Sequence, residues 1–112
     1  MNFNEYQALS QRTSRKELTL SEHVMNGMLG LAGECGECCD LVKKNFYQDG
    51  RQIRDDIKDE LGDVLWYISE AASGFGLTLE EIAQHNIEKL KKRYPDGFEA
   101  QRSLYRQEEQ HV

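Results

Sequence analysis

An all-α domain is what this chain predicts, and three observations predict it. Two long stretches carry apolar residues at alternating steps of three and four, the spacing of one helix face. Helix start and stop signals sit at the ends of those stretches. The length, 112 residues, suits one domain and is too short for two, and one proline with nine glycines excludes a linker or a low-complexity tract. Hydrophobic residues make up 38 % and charged residues 30 %, a modest apolar supply. Small helical domains so supplied often complete their core by oligomerising.

Each element follows in order. Asn2 or Asn4 can cap a first helix running to about Arg12, with Phe3, Tyr6 and Leu9 one to two turns apart. Thr13–Thr19 is polar and mixed, and reads as a connection. Thr19 or Ser21 opens the longest helix, whose Val24, Met28, Leu31, Cys35, Cys38 and Val42 predict a buried seam and which runs to about Lys44. Asn45–Arg54 is a loop or turn around Gln48-Asp49-Gly50. A third helix from about Asp55 carries Ile57, Leu61, Val64, Ile68, Ala71 and Phe75 at the same steps, and Gly74 and Gly76 end it. Thr78 and Glu81 form a capping box for a fourth helix using Leu79, Ala83, Leu90 and Tyr94, stopped by Pro95-Asp96-Gly97. The expected organisation is a domain over residues 1–98 and a polar tail over 99–112.

The chemistry lies in two carboxylate steps, Glu34-x-x-Glu37 and Glu60-x-x-Asp63. At about 100° per residue, Gly27, Gly30, Glu34, Glu37 and Leu41 share one shoulder of the second helix, and Asp56, Glu60, Asp63 and Tyr67 the matching shoulder of the third. Like charges one turn apart destabilise a helix, and both steps border apolar stripes where an unpaired carboxylate is costly to desolvate. A hard divalent cation resolves the conflict, and its usual partner in enzymes is a phosphate chain. A single step of this kind usually marks a solvated face. Two of them on successive helices, each bordering core and beside glycines, point to a metal site. Asn86, Lys89 and Arg93 share a stripe on the fourth helix, and Lys43 and Lys44 lie just past Glu37, where positive charge would favour departure of a cleaved polyphosphate. Tyr67, one turn beyond Asp63, is placed to touch a sugar or base, or to pack. Trp66 points off the seam, toward an oligomer contact or the first helix.

The net charge of −6 argues against coating of nucleic acid, which needs clustered Lys and Arg. No apolar run reaches the length of a transmembrane helix, and the Met1–Glu5 start has no signal-peptide character, so a cytoplasmic protein is expected. Cys35, Cys38 and Cys39 are odd in number, and no second Cys/His pair completes a zinc set. Cys35 and Cys38 read as small buried residues on the seam. His23 and His85 have no acid partner visible in sequence and read as surface or packing residues, with His23 near enough to the mouth of its helix to touch a base.

The runs Gly30-Leu31-Ala32-Gly33-Glu34-Cys35-Gly36-Glu37 and Asp59-Glu60-Leu61-Gly62-Asp63-Val64-Leu65-Trp66-Tyr67 closely resemble the MazG-like nucleotide pyrophosphohydrolases. Asn86-Ile87-Glu88-Lys89-Leu90, Arg93-Tyr94-Pro95-Asp96-Gly97-Phe98 and the start Glu5-Tyr6-Gln7 extend the resemblance over about residues 3–98. It implies an all-α four-helix bundle completed by oligomerisation, as a homodimer or homotetramer. It implies Mg²⁺-dependent cleavage of a nucleoside triphosphate to the monophosphate and pyrophosphate, with Mn²⁺ able to stand in; clearing of non-canonical nucleotides, dUTP removal and a stress response all stay open as its task. The metal ligands carry over to Glu34, Glu37, Glu60 and Asp63, and the phosphate contacts to Asn86 and Lys89, with Arg93 on the same stripe; Lys44 and Tyr67 are substrate-binding candidates from their placement alone. Glu37, with Glu34 next to it, is the expected catalytic carboxylate, although ligand and base share one chemistry. A phosphoribosyl-ATP pyrophosphohydrolase and a non-catalytic nucleotide-binding helical module are the competing readings.

Overall fold

Asn2 starts the first helix, α1 (Phe3–Ser10): its extended backbone leaves the side chain free to accept the Glu5 N–H at 2.8 Å. The structure is a computed structural model and describes residues 1–46 and 53–97. A 3₁₀ turn at Gln11–Thr13 tightens the exit from α1. Of the two candidate caps for the next helix, Thr19 takes the role. Its Oγ1 accepts the Glu22 N–H at 3.2 Å while Glu22 Oε1 accepts the Thr19 N–H at 3.1 Å, a reciprocal capping box. Helix α2 then runs Leu20–Phe46, two residues past the expected Lys44. Helix α3, Ile53–Gly74, starts two residues before the expected Asp55. It closes as a Schellman motif: Gly76 takes φ +72°, Leu77 N–H reaches Ala72 O at 2.8 Å, and Gly76 N–H reaches Ser73 O at 3.1 Å. Helix α4, Leu79–Arg93, follows directly on Thr78, and Gly97 (φ +94°) turns the chain beyond it.

The turn expected at Gln48-Asp49-Gly50 and the tail over 99–112 lie outside the described residues. Among the described residues no strand forms, so the class is all-α. No described helix is long and apolar enough to cross a membrane. Two compact units make up the chain, Met1–Leu79 and Glu80–Val112.

In the first unit α2 and α3 pack antiparallel at very short range, and glycine is the reason. A Cβ on Gly27 would stand 2.6 Å from the Ala71 backbone nitrogen, and one on Gly74 would stand 2.7 Å from Val24 Cγ2. A Cβ on Gly30 would overlap the Tyr67 ring. The pairs 24–74, 27–71 and 30–67 fix a register that brings Glu34 opposite Asp63.

Helix α1 is held by polar bonds more than by apolar burial, since Phe3 and Leu9 are exposed. The Gln7 amide donates to Ser73 Oγ and to Leu77 O, each at 3.0 Å, and accepts the Leu79 N–H at 2.8 Å. Ser10 and Ser69, both buried, share a hydroxyl bond of 2.7 Å. The Trp66 indole N–H donates to Ser10 O and Thr13 Oγ1, each at 2.9 Å. Of the two expectations for Trp66, contact with the first helix is the one realised within the chain.

The seams are less covered than their periodicity predicts. Only Ala71, Ala72 and Leu79 are buried apolar side chains among the described residues. Met28, Val42, Leu61 and Phe75, expected in the seam, are exposed, as are Met25 and Leu29 nearby. Two long helices touching along one line cover only the inner edge of each apolar stripe, and the short α1 does not cover the rest. The seam cysteines follow suit and correct the reading of them as buried: Cys35 is exposed and Cys38 half-buried, with Cys39 beside them also exposed.

Candidate metal centre and its surroundings

Glu34 projects from α2, and Glu60 and Asp63 from α3, so that one ligand oxygen of each lies within 4.8 Å of the others. Helix periodicity puts Glu60 and Asp63 on one face, and the glycine-mediated approach brings Glu34 across to them. Burial is the first cause that lifts the Glu34 carboxyl above its ordinary value, followed by a hydrogen bond with Glu60 and the charges of Asp63, Glu60 and Glu37. The charged groups that raise it, Asp63, Glu60 and Glu37, are all acids. Three carboxylates crowded in this way form a hard-oxygen donor set that suits a divalent cation such as Mg²⁺.

Glu37 does not join this group of three. It lies one turn further along α2, exposed, and reaches the centre through its charge on Glu34. Lys44 lies ten residues beyond Glu34, about 15 Å of helix rise. Its ammonium is held by Asp40 at 2.8 Å, an exposed pair one turn apart. Asn86, Lys89 and Arg93 sit on one stripe of α4, the first two exposed and Arg93 half-buried.

A cavity of about 370 Å³ opens beside the acids, lined by Glu34, Asp63, Trp66 and Tyr67. Trp66 and Tyr67 meet edge to face, with ring centroids 5.0 Å apart and planes at 88°. Tyr67 lies against the bare backbone at Gly30, which explains why glycine occupies that position. Tyr6 of α1 belongs to the same neighbourhood: burial first, then the charge of Asp63, raises its phenol above the ordinary value. Burial first and then Glu60, Cys35, Cys39 and Glu34 raise the Cys38 thiol above its ordinary value, which favours its protonated form.

One cluster is absent from the sequence reading. Glu70 is completely buried, yet it accepts bonds from Ser14 Oγ at 2.7 Å and Asn26 Nδ2 at 2.9 Å and meets His23 Nδ1 at 3.2 Å. Burial alone would raise its carboxyl. The bonds from Ser14, Asn26 and His23, with the charge of His23, outweigh burial and hold it below the ordinary value. His23 thus has an acid partner after all, 47 residues away and across the α2–α3 contact. The available signal was Glu70 itself: a carboxylate near a helix C-terminus, where the dipole disfavours it, set among Ser69, Ala71 and Ala72.

The model of the MazG nucleotide pyrophosphohydrolase domain matches residues 23–98. The Gene 37 protein of Mycobacterium phage L5 is 40 % identical over 73 residues, which cover 62 % of this chain and 64 % of that protein. The chain thus spans less than two thirds of the length of this curated relative. No solved structure matches. The family match takes in α3, α4 and nearly all of α2, and with them each of the clustered carboxylates; the chain belongs to the MazG nucleotide pyrophosphohydrolases.

Proposed function

We propose that the protein hydrolyses nucleoside triphosphates between the α and β phosphates, releasing a nucleoside monophosphate and pyrophosphate, with Mg²⁺ as cofactor. The observation that carries this reading is the convergence of Glu34, Glu60 and Asp63 within 4.8 Å across two facing helices. These three would hold the ion, and Mn²⁺ would fit the same oxygens. Bound there, magnesium would screen the triphosphate oxygens and lower the pKa of water.

The chain's own residues account for the rest. Glu37, outside the cluster and open to solvent, is our candidate for the base that takes the proton of the attacking water. As the water oxygen bonds to the α-phosphorus, the bond to the bridging oxygen breaks and pyrophosphate departs. Asn86, Lys89 and Arg93 are our candidates for contacts to substrate oxygens, and Tyr67 for the sugar side of the cavity. Lys44 would contribute only by exchanging its exposed pairing with Asp40.

A homodimer or homotetramer is part of the proposal. The exposed Met25, Met28, Leu29, Val42 and Leu61 support it, because a chain burying so little apolar surface gains stability by covering that stripe with another copy. The test is product analysis with Mg²⁺ over the common and modified NTPs and dNTPs, with phosphoribosyl-ATP in the panel. Pyrophosphate and the monophosphate should form, and chelation should stop the reaction. Absence of pyrophosphate from every triphosphate would end the proposal, and turnover of phosphoribosyl-ATP alone would replace it with the narrower enzyme.

A further inference from the structure

We infer that the ring of Trp66 is the platform on which this site receives the nucleobase of its substrate, an inference that rests on the triphosphate reading above. The cavity lining combines two chemistries: the acids Glu34 and Asp63, and the aromatic pair Trp66 and Tyr67. Asp63 and Trp66 are one turn apart on α3, a rise of about 4.5 Å, so a ligand whose phosphates lie at the acids has its organic part beside the aromatic pair.

The state of the indole decides what it offers. Its single polar atom, Nε1, is already committed to Ser10 O and Thr13 Oγ1. What remains for the cavity is ring surface. That surface is fixed from two sides, by the 3₁₀ turn holding the N–H and by Tyr67 meeting it edge to face. A role confined to anchoring α1 would need the N–H alone and would not require the ring to line the cavity. A rigid π-surface recognises a flat heterocycle, and because every base has a π-face, stacking of this kind tolerates several bases. The platform therefore belongs to a broad base range, with selectivity left to other groups.

Trp66 is the chain's only tryptophan, so its emission reports this position directly. In the wild type with Mg²⁺, an α,β-methylene nucleoside triphosphate analogue should quench that emission, and tripolyphosphate, which has no base, should leave it unchanged. Trp66→Leu should raise KM about tenfold with kcat within a factor of about two, and Trp66→Phe should return KM most of the way to wild type. Equal quenching by tripolyphosphate, no quenching by the analogue, or an unchanged KM in Trp66→Leu would each overturn the platform. The wild-type titration needs no variant, so it decides the matter even where Trp66→Leu fails to fold. Quenching by the analogue without any pyrophosphate from true triphosphates would refute the hydrolase and leave the platform standing; pyrophosphate release with no change in emission would do the reverse.

Discussion

Gly27→Ala tests the register on which the acid cluster depends. The new Cβ would stand 2.6 Å from Ala71 N and 2.8 Å from both Ala71 Cα and Cβ, where ordinary contact begins at 3.4 Å. The deficit is roughly 0.8 Å, and none of the opposing atoms is the end of a flexible side chain, so α2 and α3 must separate. Overpacking of this kind costs about 1–3 kcal/mol. The better intrinsic helix propensity of alanine returns about 0.8–1 kcal/mol. Taking the middle of both ranges, the net expectation is a loss of about 1 kcal/mol, or a melting point lower by roughly 4–8 °C. Circular dichroism melts and urea titrations would measure it. Glu34 is two turns downstream on the same helix, so stabilisation by added Mg²⁺ should weaken in parallel. A Gly27→Ala protein as stable as wild type, or more so, would show that the helices do not approach as closely as the argument requires.

Three further outcomes follow from the same geometry. Glu60→Gln removes a like charge beside Glu34, so the variant should melt higher than wild type without metal yet lose both Mg²⁺-induced stabilisation and pyrophosphate release; wild type should gain about 2.7 kcal/mol at a hundredfold excess of Mg²⁺ over Kd. A wild-type protein whose melting point ignores both Mg²⁺ and chelator contradicts the metal centre. Glu70 binds its proton less tightly folded than unfolded, so it adds stability that is fully present above the unfolded value of 4.5 and is lost as pH falls through the lower folded value. Glu70→Gln should therefore be less stable at pH 7 and show a flatter decline below about pH 4.5 in urea melts; superimposable pH profiles would discount the Glu70 bonds. Gly76→Ala places a Cβ at φ +72° and should cost about 1 kcal/mol by urea titration, and no loss there would remove the Schellman closure from the account.

The helices were legible because their signals are local. Asn2 and Thr19 cap through residues three positions on, and Gly76 closes α3 through neighbours within one turn. The acidic steps were legible too, since carboxylates three apart bordering an apolar stripe conflict with burial. The sequence assigned both Glu34 and Glu37 to the ion, and that only Glu34 of the two clusters with Glu60 and Asp63 was not legible. The two differ by about 60° around the helix axis, and a small rotation of α2 set by Gly27 and Gly30 against α3 makes the choice. Nor was the Glu70 cluster, whose partners Ser14 and Asn26 lie 56 and 44 residues away and meet it only once α2, α3 and the connection before α2 are assembled. The overestimate of burial at Met28, Val42 and Leu61 has a related cause: periodicity reports which side chains need cover and says nothing about what supplies it.

The three bonds of Gln7 carry a consequence for that position. One arm of the amide must give protons, to a hydroxyl and a main-chain carbonyl, while the other must take one from a main-chain N–H. A glutamate of the same shape would set a negative oxygen against the Leu77 carbonyl, and a lysine would have nothing to offer Leu79. Chemistry, rather than volume, therefore closes position 7 to every side chain but an amide of this length.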